Sequence, residues 1–128
     1  MADLLGLKNR SMLTPAAGQL GKLVTFIPDA YLDAVRNALF EAGAGHIGNY
    51  DEAGFSSPGT GSFRAGPDAN PFVGGQGLRH YEPETRLEVI YPLHIQNSLV
   101  DALRKTHPSE EVAYDLLVTV PLNKGDEI

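Results

Sequence analysis

This chain contains an internal repeat, in which residues 23–51 match residues 87–115 at an offset of 64 positions. Six positions of this ungapped window are identical, where average residue usage predicts roughly two. The identical pairs are Leu23/Leu87, Pro28/Pro92, Ala38/Ala102, Leu39/Leu103, Tyr50/Tyr114 and Asp51/Asp115. An internal repeat constrains the whole architecture of a chain. This one predicts that a strand, a helix and a strand occur twice.

Composition excludes several classes of protein but does not indicate a function. A length of 128 residues favours one domain, and 42% hydrophobic residues can bury a small core. The net charge of −6 disfavours binding to nucleic acid, and the absence of cysteine excludes disulfides and thiolate chemistry. The sequence shows no signal peptide and no apolar run of roughly 18 residues. These features predict a cytoplasmic protein with neither nucleic acid nor membrane as a partner.

The first copy predicts a strand over Lys22–Ile27, a helix and a second strand over roughly Gly45–Tyr50. Asp29 is placed to cap the helix, and Gly43 is placed to end it. The helix has an apolar stripe that would face a sheet, formed by Leu32, Val35, Leu39 and Ala42. Residues 1–21 combine a helix-like end with Pro and Gly, so they are interpreted as a linker.

The second copy predicts a strand over Glu84–Tyr91, a helix over Leu93–Thr106 and a strand over Val112–Val120. His107-Pro108 would end the helix, since the residue before proline avoids the α region. Two such units give an α+β fold, the ferredoxin-like βαββαβ sandwich, with both helices on one face of four antiparallel strands. The other face of so small a sheet is expected to be covered by a second subunit.

A glycine-rich insert, Glu52–His80, lies between the two copies. Ten of the 14 glycines fall within 43–77, so the backbone makes its unusual turns here. Within it, Ser56–Arg64 alternates turn residues with strand formers and predicts a β-hairpin that packs on a neighbouring subunit. The run Ser57–Gly61 resembles a phosphate-binding loop, but it lacks the lysine and the following helix, which disfavours nucleotide binding.

Candidate functional residues are few. The repeated Tyr-Asp pairs can line a cleft between subunits, or the rings can be buried while the carboxylates satisfy turns. Arg64 is the best candidate for binding an anion. The residues assigned to ligand binding or an interface are His46, Tyr50, Asp51, Arg64, Tyr114 and Asp115. No catalytic set is assigned.

His107 and Glu110 form the best polar cluster. Imidazole and carboxylate can share a metal ion, although a closed site needs further ligands. The favoured alternative is that His107 lies at the end of the second helix and complements its dipole.

Three motifs carry a family resemblance: Gly45–Asp51, Ser56–Arg64, and His107-Pro108-x-Glu110-Glu111-x-Ala113-Tyr114-Asp115. Residues 22–120 resemble the YqfO-like domain, a PII/CutA-like module inserted in Nif-three-like dinuclear-metal proteins, also called GTP cyclohydrolase type-two homologues. Residues 1–21 then resemble a linker from a preceding lobe, and 121–128 resemble a tail leading to a following lobe. Two departures are Ala53-Gly54 in place of Cys-Ser, and Ser109 in place of tyrosine.

The resemblance implies a segment cut from a larger protein, with Met1 supplied by cloning. It also implies a ferredoxin-like domain that forms trimers, within a parent that forms a hexameric toroid. The parent's divalent metal pair would lie in the flanking lobes, so no metal ligand or other cofactor transfers to this chain.

The leading hypothesis is a non-catalytic regulatory or assembly module that trimerises and covers the parent's metal cavity. A small ligand or metal is expected at a subunit cleft near Tyr50, Arg64 and His107. The alternatives are a contribution to metal-dependent hydrolysis of a nucleotide or cyclic substrate by the parent, and a metal or small-ligand sensor.

Overall fold

The structure, a computed structural model, describes residues 19–69, 75 and 77–119. Several predicted segments lie outside the described residues: residues 1–18 of the predicted linker over 1–21, the tail over 121–128, Val120 and part of the glycine-rich insert. The elements are β1 (Leu20–Pro28), α1 (Leu32–Glu41), β2 (Gly54–Arg64), β3 (Arg79–Pro92), α2 (Gln96–Thr106) and β4 (Tyr114–Thr119). Their order confirms the predicted βαββαβ fold.

The four strands form one antiparallel sheet in the order β2-β3-β1-β4. β1 lies inside the sheet and pairs with β3 from Leu20↔Pro92 to Pro28↔Glu84. β3 extends past the end of β1. Its first residues, Arg79–Pro83, pair with Thr60–Arg64 of β2 and have no partner in β1. β2 and β3 therefore extend past the body of the sheet as a two-stranded arm.

The core lies between the two helices and one face of the sheet. β1 contributes Leu23 and Ile27, and β3 contributes alternate residues, because successive side chains of a strand point to opposite faces. The residues of this core are Leu23, Ile27, Val35, Leu39, Ala44, Leu87, Val89, Tyr91, Leu99 and Leu103. The predicted inward positions of both helices are thus confirmed at Val35, Leu39, Leu99 and Leu103.

The 64-residue repeat is confirmed through the helices. The strand before each helix, β1 or β3, ends in a proline. Each helix then opens with a single 3-10 turn, Asp29–Tyr31 in one copy and Leu93–Ile95 in the other. Gly43 ends the first helix with φ +117°, as predicted. The predicted cap is wrong: Asp29 makes no capping hydrogen bond, and its Oδ1 accepts one from the Thr85 hydroxyl at 2.8 Å.

The repeat breaks down after α1, where two predictions are wrong. Gly45–Tyr50 is a turn and not a strand, because Gly45 and Gly48 have positive φ and only an isolated bridge joins Ile47 to Tyr50. Ser56–Arg64 is not a hairpin by itself, since it belongs to the single strand β2, which pairs with β3. The supposed insert therefore contains the second strand of the fold.

Candidate functional site

The sheet surface opposite α1 and α2, here called the open face, combines exposed apolar groups with paired charges. Phe26, Phe55, Phe63 and Leu117 are exposed, and Phe55 keeps 63% of its surface accessible. The register places Phe55 opposite Glu88 and Phe63 opposite His80, with the Phe63 and His80 rings 5.3 Å apart. Lys22 and Arg86 pair with Glu88, and His80 pairs with Glu82 at 2.9 Å.

A concave site of about 450 Å³, here called the cleft, lies at the end of the open face. Its floor comes from the ends of β1 and β3. One wall is the end of β2 with the loop that follows it, and the other is the segment between α2 and β4. The lining residues are Phe26, Pro28, Gly61, Ser62, Phe63, Arg64, Ala65, Gly66, Ala69, Glu82, Glu84, His107, Ser109, Glu110, Glu111 and Ala113.

His107 fixes one wall of the cleft to β1. The helix ends here because His107 takes an extended conformation with ψ 138°. Its side chain is buried, with Nε2 2.7 Å from the Phe26 carbonyl oxygen, while Nδ1 accepts a hydrogen bond from the Ser109 amide at 3.1 Å. Because a carbonyl only accepts, Nε2 carries the proton and the ring is the neutral tautomer. Both nitrogens are therefore engaged by backbone groups.

The predicted position of His107 at the end of α2 is confirmed, but its imidazole contacts β1 and Ser109 instead of the helix carbonyls. This arrangement leaves no ring nitrogen for a metal ion. Among the described residues, no three His, Asp or Glu side chains form a group that could hold one.

Glu84 lies on the floor of the cleft with its carboxylate over β2. A Cβ at Gly61 would overlap the Glu84 carboxylate, so the glycine leaves room for the carboxylate in this position. Burial raises the pKa of Glu84, and the nearby Glu82 and Asp29 add to that shift, which the His107 ring would oppose only in its protonated form. Within the described part of the chain, no hydrogen bond or ion pair to the Glu84 carboxylate is present, in contrast to Glu82 and Glu88.

We expect Glu84→Gln to stabilise the domain at neutral pH. A folded-state pKa above the usual 4.5 favours the neutral acid, so its contribution to stability is present below pH 4.5 and is lost as pH rises through the folded pKa. Glutamine removes that loss, and the gain should stay under about 1 kcal/mol because solvent screens a half-exposed group.

Thermal unfolding of the wild type and Glu84→Gln between acid and neutral pH measures this effect. The difference in melting temperature should shrink towards pH 4.5 and below, whereas Glu41→Gln on the exposed surface of α1 should show no such trend. A melting temperature lowered by Glu84→Gln at pH 7 would show that the carboxylate is stabilising.

The residues proposed from sequence lie in different parts of the molecule. Arg64, His107 and Glu110 line the cleft. His46 and Asp51 line a second, smaller depression of about 260 Å³ beside α1. Tyr50 lines neither site and is 77% exposed. The predicted grouping of Tyr50 with Arg64 and His107 is therefore not formed within one chain.

The second Tyr-Asp pair lies on β4. The Tyr114 hydroxyl accepts a hydrogen bond from Arg104 Nη2 at 3.0 Å, and the Arg104 guanidinium lies 5.7 Å from the ring centre. Asp115 is exposed and faces Val24 across the β1–β4 pair. Tyr114 therefore packs against α2 through Arg104.

Sequence reasoning missed Phe26, Phe63, Glu82 and Glu84, all of which line the cleft. The signal that could have found the glutamates is their spacing in Glu82-Pro83-Glu84-Thr85-Arg86, which puts carboxylates on one face of a strand.

Comparison with solved structures defines the class of the fold. CutA from Synechococcus elongatus superposes with a TM-score of 0.58 at 19% identity, covering 86% of this chain and 84% of its own. The GlnK–ATP complex of B. subtilis superposes with a TM-score of 0.54 at 8% identity, covering 80% and 83%. These values show that the chain is an α+β domain of the CutA-like and GlnK-like ferredoxin fold.

Sequence relatives contain a segment similar to this chain. The proteins named GTP cyclohydrolase 1 type 2 homolog from Halalkalibacterium halodurans and Bacillus subtilis are 48% and 41% identical over 100% and 98% of this chain. A Bacillus cereus protein related to NIF3 is 39% identical, with a TM-score of 0.66, and aligns with 92% of this chain and 30% of its own. The chain is therefore similar to one segment of the proteins named GTP cyclohydrolase 1 type 2 homolog. No family model matches it.

The chain spans about a third of the length of these relatives, 34% for both curated proteins. What the longer proteins do is therefore not a property of this segment alone. Among the described residues, no helix is long and apolar enough to cross a bilayer.

Proposed function

We propose that the chain is a non-catalytic assembly and regulatory module that self-associates, as a trimer, through its open face. The observation that carries the proposal is the exposure of Phe26, Phe55, Phe63 and Leu117 on the sheet surface opposite the helices. Apolar side chains exposed on one sheet face of a small domain suit an interaction surface. Burying Phe55 and Leu117, which lie outside the cleft, in an assembly would add about 25 cal/mol for each Å² of apolar area removed from water.

The arm formed by β2 and β3 supports the same proposal. A two-stranded ribbon is only marginally stable in water by itself, and five residue pairs of this ribbon have no third strand beside them in the sheet. Because side chains alternate along β3, the exposed ring of Tyr81 lies on the other face of the arm, the side on which Leu87 and Val89 reach the core. A neighbouring subunit packed against the arm would supply the contacts that the isolated chain lacks.

The non-catalytic part of the proposal is supported by the state of His107. A general base needs a ring nitrogen within reach of the proton that it removes. Nδ1 of His107 accepts from the Ser109 amide, and Nε2 donates to Phe26, so the histidine that lines the cleft has a structural role.

The parent protein is the remaining part of the proposal. Since the curated relatives are about three times longer than this chain, we propose that the module covers the metal cavity of a cytoplasmic, hexameric parent. The divalent metal pair would be held by the parent's flanking lobes, and this module would control access to it.

Phe55→Asp should abolish self-association without unfolding the domain. Phe55 is exposed in the single chain, so the fold tolerates a polar residue there, whereas a carboxylate buried in an assembled interface would carry a large desolvation cost. Sedimentation velocity should show a mass that falls from an assembly to one chain, with an unchanged circular dichroism spectrum.

The matched control is Ala34→Asp, which places the same charge on the exposed surface of α1 and should leave the mass unchanged. An assembly that survives Phe55→Asp and dissociates with Ala34→Asp would place the interface on the helical side and contradict the proposal.

A further inference from the structure

The charge balance of the cleft selects for a cation. Four glutamates, Glu82, Glu84, Glu110 and Glu111, line it against a single arginine, Arg64. A phosphate or nucleotide entering this site would meet a net negative field. The cleft is therefore unsuited to the anionic ligands that its glycine-rich neighbour, Ser57–Gly61, suggests by sequence.

An inorganic cation fits the cleft poorly. A divalent metal ion needs several oxygen or nitrogen ligands converging at about 2–2.6 Å, and within the described chain no three acidic or histidine side chains form such a group. The two nitrogens of His107 are already engaged. The negative charge is instead distributed around the cleft, an arrangement that suits a larger cation.

The floor of the cleft suits an apolar body. Phe26 and Phe63 are both partly exposed there, and Pro28, Ala65 and Ala69 add further apolar surface. A volume of about 450 Å³ falls in the range of sites for small molecules. Aromatic faces attract ammonium and guanidinium groups, so the rings can contact the charge as well as the body of such a ligand.

Glu84 is the natural partner for the charge. Glu82 is paired with His80 and Glu88 with Lys22, whereas none of the described residues forms an ion pair with Glu84. The missing side chain at Gly61 leaves the Glu84 carboxylate lying across the strand inside the cleft. We propose that the cleft binds a small organic cation, an ammonium or guanidinium group on an apolar body, with Glu84 holding the charge and Phe26 and Phe63 holding the body.

Three probes of matched shape test the proposal: phenethylamine, phenethyl alcohol and hydrocinnamate, which present a cation, a neutral hydroxyl and an anion. Each is titrated into the full chain, and binding is followed by the amide NMR shifts of Gly61, Gly66 and Ala113. The amine should bind about tenfold more tightly than the alcohol, because it forms a charge-assisted hydrogen bond. Hydrocinnamate should bind least.

Two variants identify the residues. Glu84→Gln should lower the affinity for phenethylamine by about tenfold and leave the affinity for phenethyl alcohol unchanged. Phe63→Leu, which keeps an apolar side chain but removes the ring, should weaken the amine about threefold. Asp101→Asn, which removes a carboxylate from the exposed side of α2, should change neither affinity.

Equal affinities for the amine and the alcohol would overturn the proposal, because the cleft would then be a merely apolar pocket. It would also be overturned if the amine bound Phe55→Asp but not the wild-type assembly, since a second copy would then fill the cleft. That result would leave the assembly proposal intact. Conversely, amine binding by a chain that never assembles would support this site and contradict the assembly proposal alone.

Discussion

Gly21→Ala should lower the free energy of unfolding by about 2–3 kcal/mol, the upper part of the range for overpacked cores. A Cβ at Gly21 would lie 2.5 Å from the ζ carbon of Tyr91 and 2.6 Å from its hydroxyl oxygen. Tyr91 is 1% exposed, and its hydroxyl donates to Gln96 Oε1 at 2.7 Å, so the ring cannot move without breaking that contact. Leu93 blocks the other direction at 2.9 Å.

Urea unfolding at a fixed chain concentration measures the effect, and a double-mutant cycle with Tyr91→Leu tests its cause. Leucine lacks the far end of the ring, so Gly21→Ala should cost much less in that background. The control is Gly59→Ala in the same sheet, where the nearest atom is 3.9 Å away and a change within about 0.5 kcal/mol is expected. An additive cycle would contradict the proposed clash.

His107→Ala should cost about 2–3 kcal/mol and loosen the wall of the cleft. The substitution removes the imidazole ring and leaves the Phe26 carbonyl and the Ser109 amide without their hydrogen bonds. A buried polar group left unsatisfied costs about 1–3 kcal/mol. Hydrogen exchange of the Ser109 amide should accelerate together with the loss of stability.

His107→Gln and zinc titration separate this structural role from a metal role. Glutamine can donate and accept, so it should recover part of the lost stability, whereas leucine in the same position should not. Calorimetry with zinc should give no heat that depends on His107. Zinc binding that His107→Ala abolishes would contradict the structural assignment and support the metal-sensing alternative.

The helices and β3 could be predicted because their burial is periodic. Leu87, Val89 and Tyr91 are all buried, and Arg86 and Glu88 at the alternate positions are polar, so a period of two is visible in the sequence. The helices repeat their buried positions, Val35 with Leu99 and Leu39 with Leu103, at the same offset of 64. Local pattern and tertiary contact agree in these elements.

β2 could not be predicted in the same way, because it is an edge strand with little to bury. Its residues are exposed or only half-buried throughout, and it contains Pro58 and three glycines, so no apolar period marks it. The Tyr-Asp match at Tyr50 instead favoured a strand over Gly45–Tyr50, which begins nine residues before β2. Glu52, with φ 55°, lies in the same irregular turn.

The cleft was beyond sequence reasoning because its residues are distant in the chain. The His107–Phe26 contact joins positions 81 residues apart, and it involves a backbone carbonyl that no side-chain pattern reveals. Arg64 and Glu110 were found from local composition, but the register of β3 against β1 and β2 brings Glu84, Phe26 and Gly61 beside them.

The mass of the wild-type chain in solution tests the central claim most directly. Sedimentation equilibrium across a wide range of protein concentrations should give three times the mass of one chain for the wild type and the mass of one chain for Phe55→Asp. A mass of one chain at every concentration would contradict the account, because the exposed rings of the open face would then have no partner of their own kind.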